Sequence, residues 1–290
     1  MLAALGVAGA AAACSLGFSD DGFTGGDAAD GGSDTGVDAA ADAAAETASP
    51  VDAGVDASIA SCDAPGLIAY WNFDEGSGTV ANNCAAGGKF TGHLDGAEWT
   101  NGIVGKGALK FAAARAAVRI DDGITLLEDG ATRSFTITAW VNSTSMGVAN
   151  LGRFFSKCPP AGCGNALEFL IENKTDGGPP GLCLRLPTGI GGQSQAVDDP
   201  NGFPISRIVA VAGVYEETGS SADARVYLDG QLVAGGSITP QRLTTGGAAV
   251  LGTRSDGMGD DFVGTLDEMR IFGRVLTDCE IAQLAAKPCK

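Results

Sequence analysis

The chain has 290 residues, with 35 Asp and Glu against 18 Lys and Arg and a net charge of −17. Such acidity excludes a nucleic-acid binder, which neutralises phosphates with basic patches. The single histidine, His93, excludes multi-histidine metal or triad chemistry, and 45 Gly with 11 Pro favour short strands and tight turns over long helices.

Leu2 to Ala13 is an unbroken run of Leu, Ala, Gly and Val ahead of Cys14. It is too short to cross a bilayer, which takes ~20 apolar residues, and it has the length of a signal-peptide core. Export is therefore expected, with residues 1–13 removed. Ala11-Ala12-Ala13-Cys14 resembles a bacterial lipobox, which implies lipid attachment at Cys14 and contact with the (outer) membrane through the lipid alone. Position 11 is Ala where such motifs usually have Leu, and no basic residue precedes the run. An ordinary signal peptide is thus the alternative, and the natural start can lie upstream of Met1.

Residues 14–60 form the next predicted segment. Nine Asp and one Glu fall within the first 60 residues, and no Lys or Arg occurs before Lys89. The rest of the chain keeps 25 acids against 18 bases, a net of −7. An Ala/Asp/Gly-rich stretch with so little apolar surface cannot offset the entropy of ordering, so it is predicted to be a solvated tether.

Residues 61–290 are predicted to be one all-β domain. Short apolar or alternating runs recur between Gly, Asp and Asn turn signals: 67–75, 107–111, 134–142, 153–157, 166–172, 182–186, 207–216, 224–234, 248–252 and 263–273. About ten strands at this spacing indicate a two-sheet sandwich or barrel. Asp229-Gly230 is a two-residue hairpin signal. His93, flanked by Gly92 and Gly96, is predicted to sit in a solvated turn. Only the end looks helical: Thr277 to Glu280 makes a capping box ahead of Ile281, Leu284 and Ala285, with Pro288 closing it.

Tyr70-Trp71-Asn72-Phe73-Asp74-Glu75-Gly76 is similar to the opening strand of the LamG-like jelly-roll family of bacterial exported proteins. The Gly-rich stretch from Gly102 to Phe111, FTITAW (135–140), ARVYLDGQLV (224–233) and GTLDEMRIF (264–272) follow in the family's order. The resemblance covers about residues 66–286. It implies an antiparallel jelly-roll sandwich of the concanavalin A-like type with a short C-terminal helix. The family's usual Trp-His-His before the strand at 207–215 is replaced by Ile205-Ser206-Arg207.

Seven cysteines remain beyond Cys14. In an exported chain they suggest disulfides, with one left over. Cys158 and Cys163 bracket a hairpin tip and are predicted to pair, and Cys183, inside a strand, is the predicted buried free thiol. Neighbouring first and last strands in the resembled fold imply that Cys62 and Cys84 pair with Cys279 and Cys289, in an undecided order. A direct Cys279–Cys289 bridge is not expected, because the intervening helix should hold the two beyond the ~7 Å a bridge allows.

Glucanases of this fold carry a Glu-x-Asp-x-x-Glu pattern on one strand, and no such triplet occurs here, so catalysis is not expected. Strict alternation places Asp267, Met269 and Ile271 on one face of the last strand, with Leu266, Glu268, Arg270 and Phe272 on the other. Asp267 at a core margin needs a cation or N–H donors. The resembled family implies a structural calcium here, held by Asp267 with Asp74; acceptance of backbone N–H bonds is the alternative. Tyr70, Asn72, Glu268 and Arg270 are predicted to floor a glycan groove, or to be an ordinary half-polar face, and Trp140 is open to the same two readings. The expected function is a monomeric, non-catalytic recognition module binding a glycan. A structural or adhesin-like module binding an envelope protein is the second reading, and a divergent glycosidase the third.

Overall fold

The computed structural model describes residues 57–289 except 113, 122–123, 129–132, 146–150, 160–162, 164–165, 174–176, 188–193, 241, 244–245 and 258. The predicted signal segment, the Cys14 lipid site and the tether up to residue 56 lie outside the described residues. Ala57–Ala60, within the stretch predicted as tether, form a 3-10 turn, and Ile59 is buried.

The strands are β1 (Leu67–Trp71), β2 (Val80–Ala81), β3 (Gly92–Asp95), β4 (Glu98–Asn101), β5 (Gly107–Phe111), β6 (Ala117–Ile120), β7 (Phe135–Ser143) and β8 (Leu151–Lys157). They continue as β9 (Leu167–Glu172), β10 (Gly181–Pro187), β11 (Ser194–Asp198), β12 (Ile208–Thr218), β13 (Ser221–Leu228), β14 (Gln231–Ile238), β15 (Ala249–Leu251) and β16 (Gly264–Phe272). The helix α1 spans Asp278–Leu284, with Thr277 and Glu280 completing the predicted capping box.

Two antiparallel sheets face each other, as a jelly-roll sandwich requires. The first runs β14-β13-β12-β7-β16-β5-β4, with β1 also paired to β16; the second runs β11-β10-β9-β8-β15-β6-β3-β2. Every predicted run is a strand, and Asp229-Gly230 joins β13 to β14. The sequence reading missed β2, β3, β4, β6 and β11, which are only two to five residues long. His93 lies in β3 rather than in a turn, with an exposed side chain that meets Asp121 at 2.7 Å.

Alternation along the strands builds the core between the sheets. Phe135, Ile137 and Val141 of β7, with Val209 and Val211 of β12, point inward towards Phe169 and Ile171 of β9 and Leu182 and Leu184 of β10. Burial of such large apolar side chains contributes about 1.5–3 kcal/mol each. A second, smaller core lies on the other face of the first sheet. There Ile281 and Leu276 cover Ala212, Val214, Tyr227 and Phe272, joined by Ile59. The C-terminal helix thus roofs part of that outer face and leaves the rest open.

Three disulfides tie the domain, and their pairing corrects the expectation. Cys158–Cys163 forms as predicted, but Cys62 pairs with Cys84 and Cys279 with Cys289, at Cα separations of 5.4 and 4.7 Å. Cys84 comes to Cys62 because its segment runs along β1: the Cys84 N–H donates to the Tyr70 carbonyl, and the Tyr70 N–H to Asn83 Oδ1. The helix does not separate Cys279 from Cys289, because the chain doubles back after it. Ala286 adopts φ 54°, and Lys287 N–H donates to the Ala282 carbonyl. Cys183 is unpaired and buried in β10.

Candidate functional site

The last strand does not alternate strictly. A bulge between Asp267 and Arg270, with Glu268 at φ 53°, inverts the pattern halfway along β16. Leu266, Met269 and Ile271 therefore share the core, while Asp267 and Arg270 belong to the outer face with Phe272. The expected grouping of Asp267 with Met269 and Ile271 is corrected by that extra residue.

Asp267 is fully buried, and its oxygens are committed to backbone donors. Oδ2 accepts the N–H groups of Ile103 and Val104 at 2.8 and 2.9 Å, and Oδ1 accepts that of Glu268 at 2.8 Å. Burial outweighs these bonds and pushes its carboxyl up to about 6. Asp74, on the turn after β1, does the same for the far side of this loop: Oδ1 accepts the N–H groups of Lys106 and Gly107. Asn72 belongs to that turn, bonding Asp74 locally. Both carboxylates face the positive ends of N–H dipoles. Among the described residues no three His, Cys, Asp or Glu converge as a metal group. The donor set does not fit a shared calcium ion; it fits a clamp that pins loop 102–107 onto the sheet.

Tyr70, Glu268 and Arg270 do come together, but under a roof. The Tyr70 hydroxyl donates to Glu268 Oε2 at 2.7 Å, Arg270 pairs with the same oxygen, and the guanidinium stacks 3.8 Å from the Tyr70 ring centroid. Arg270 also donates to the Ala60 carbonyl in the N-terminal 3-10 turn. Burial raises the Tyr70 phenol well above its ordinary range. All three residues are at most 7 % exposed. They are a buried polar knot beneath the terminal segments, not the open floor of a groove.

Trp140 is different. Its side chain is on the outer face of β7, opposite Asp267 of β16 and Ala210 of β12. The indole N–H of Trp71 donates to the Phe90 carbonyl, and that of Trp99 to the Gly78 carbonyl. Trp140 has no such partner among the described residues. The same face of β7 carries Thr138, itself buried, and Asn142, which is half-buried; Thr138 Oγ1 and Asn142 Oδ1 are buried atoms without a hydrogen-bond partner among the described residues. These groups repeat every second residue, about 6.6–6.8 Å apart along the strand. Exposed Ile208 of β12 and Thr265 of β16 stand on either side of Asn142. Between Trp140, Thr138, Arg270 and Leu284 the structure leaves a cavity of about 10 Å³, room for one water. A larger ligand would lie on the open part of the face, beyond the end of α1. The sequence reading found Trp140 but missed Thr138 and Asn142; the period-two pattern in FTITAWVN would have placed all three on one side.

Residues 114–282 match the family model of the concanavalin A-like lectin/glucanases superfamily. The chain belongs to that superfamily. No curated protein sequence matches it. Domain 4 of AbnA, an extracellular arabinanase of Geobacillus stearothermophilus solved with arabinotriose, has a similar structure: 18% identity, TM-score 0.54, covering 76% of this chain and 98% of that one. The receptor-binding domain of botulinum neurotoxin type G is similar at 12% identity and TM-score 0.53, over 76% of this chain and 51% of that one. The binding domain of Paraclostridial Mosquitocidal Protein 1 is similar at 10% identity and TM-score 0.52, over 76% and 52%.

Superfamily membership includes glucanases, so paired carboxylates matter. On the outer face of the second sheet, Glu168 and Glu172 lie on one side of β9, a pair the sequence reading did not single out. Both are bound by arginine: Arg153 holds Glu168 through Nε at 2.6 Å and Nη2 at 3.1 Å, and Arg185 bridges Glu168 at 3.1 Å and Glu172 at 2.7 Å. Asp260 meets Arg153 at 2.8 Å from the loop above. Arg153 and Glu168 are at most 3 % exposed as side chains. Carboxylates engaged in this way present no free acid and base to a substrate.

Proposed function

We propose that this domain is a non-catalytic carbohydrate-binding module of an exported, envelope-associated protein, and that it holds glycan along the outer face of β7. The observation that carries this reading is Trp140 on the outer face of β7, a half-buried indole whose N–H has no partner among the described residues, with half-buried Asn142 next along the same face. Sugars present an apolar ring face and a rim of hydroxyls, and an indole with a free N–H beside a carboxamide complements both. The likeness in fold to a domain solved with arabinotriose supports the ligand class. Three disulfides support an oxidising compartment. Lipid attachment at Cys14 belongs to the same proposal.

The test is an array of plant and bacterial polysaccharide fragments probed with the full chain, wild type and Trp140→Ala. Retention of at least one fragment class that falls about tenfold or more in Trp140→Ala, with an unchanged melting midpoint, is the expected result. An array on which the wild type binds nothing, or binding indifferent to Trp140, overturns the proposal.

A further inference from the structure

A second concavity lies away from Trp140. A groove of about 420 Å³ lies between the β13–β14 hairpin tip and the C-terminal end of the chain, lined by Tyr227, Gln231, Leu232, Asp278, Lys287 and Pro288, among others. That volume is in the range of small-ligand sites. Its walls are fixed. Gly230, at φ +78°, lets the hairpin tip press on the helix; a Cβ there would lie 2.9 Å from Ala282 Cα. The Tyr227 hydroxyl donates to Asp278 Oδ1 at 2.8 Å and forms the floor, its phenol pushed up to about 12 by burial and by that carboxylate. The Cys279–Cys289 bridge holds the tail that makes the far wall.

Polar side chains face the groove. Gln231 and Lys287 are exposed along it, and Asp278, also exposed, accepts the Tyr227 hydroxyl through Oδ1 and turns its carboxylate to the groove. Leu232 is 54 % exposed at the rim, opposite Pro288. A carboxylate oxygen, a carboxamide and an ammonium surround a concavity with apolar edges. Carboxylate and carboxamide oxygens accept hydroxyl protons and the ammonium donates to hydroxyl oxygens, while Leu232 and Pro288 suit the C–H face of a ring. We infer that this groove is a second sugar-binding site, one that takes a single ring with vicinal hydroxyls and is built by the disulfide-held C-terminus. The glycan-binding reading supplies the ligand class; the groove and the polar groups along it stand without it.

The experiment is an amide-resolved NMR titration of the full chain with L-arabinose, D-xylose, D-glucose, D-galactose and N-acetyl-D-glucosamine in turn. At least one sugar should move the amides of Gly230, Gln231, Leu232 and Lys287 along a saturating curve. That curve should weaken about tenfold in Gln231→Ala and Lys287→Ala, the loss of one or two hydrogen bonds, and persist in Trp140→Ala. Leu232→Glu, exposed and outside the core, should fold normally and abolish the response. If no sugar moves these amides, or the response is unchanged in Gln231→Ala and Leu232→Glu, the inference falls. Trp140 indole shifts and Trp140-dependent array binding would then still stand for the β7 site, so the two readings fail separately.

Discussion

Asp267 and Trp140 stand directly across from each other where β16 pairs with β7, and Asp267 Oδ2 accepts the N–H groups of Ile103 and Val104. A carboxyl that burial pushes up to about 6 therefore sits beside the proposed glycan face. With the folded value above the unfolded one, the native state keeps this proton where the unfolded chain has released it. Stability then falls as pH rises from about 4 to about 6, by at most about 3 kcal/mol, and is unaffected by this group below that window. Asp267→Asn removes the titration. Urea midpoints measured across that range should show a downward step in the wild type that the variant lacks; equal slopes would refute the assignment.

The clamp also bears on the calcium expectation. Asp74 and Asp267 accept the N–H groups of Lys106, Gly107, Ile103 and Val104, and these bonds pin loop 102–107. Adding EDTA or excess calcium should leave the melting midpoint unchanged. Gly105→Ala should lower it, because Gly105 sits at φ +67° and a Cβ would lie 2.8 Å from Asp74 Oδ1. A loss of about 1–2 kcal/mol is expected, and a chelator-sensitive midpoint would revive the calcium reading.

These cases show where the sequence was legible. FTITAWVN alternates without interruption, which is why Trp140 could be set on the face opposite Phe135 and Ile137. Thr277 to Glu280 announced the helix through a local bond pattern. The bulge at Glu268 was not legible, because a non-glycine residue adopts a left-handed backbone there only through its tertiary surroundings. That one residue moved Asp267 to the outer face. The cover over Tyr70, Glu268 and Arg270 was equally hidden: it comes from the Ala57–Ala60 turn, inside the stretch predicted as tether. The Cys279–Cys289 bridge depended on a reversal at Ala286, again a left-handed non-glycine residue.

The corrected disulfides can be checked by proteolysis and mass mapping without reduction. Peptides linking Cys62 to Cys84, Cys158 to Cys163 and Cys279 to Cys289 are expected, with Cys183 alkylated only after denaturation. The first bridge closes a 22-residue separation, for which loop-closure entropy corresponds to about 3 kcal/mol. The paired change Cys62→Ser with Cys84→Ser should therefore lower stability by about 2–4 kcal/mol. Peptides joining Cys62 or Cys84 to the C-terminal pair would reject this topology.

The arginine ladder on the second sheet gives the sharpest energetic test. Glu168 accepts from both Arg153 and Arg185, and its side chain is 2 % exposed. In Glu168→Gln the amide can still accept one bond, but Arg153 loses its charged partner within β9 while remaining 3 % exposed. Asp260 alone then faces it, from a loop. Breaking one side of a buried pair costs about 3–5 kcal/mol, whereas replacing both sides by apolar groups of similar volume is often neutral. Glu168→Gln should thus destabilise strongly, and Glu168→Leu combined with Arg153→Met should recover much of the loss. Arg185 would still keep Glu172 at 2.7 Å in the double variant. Glycan retention through Trp140, on the opposite sheet, should survive the double variant unchanged. If the double variant is no more stable than the single one, the ladder stabilises the sheet through the charges themselves and not merely through their mutual satisfaction.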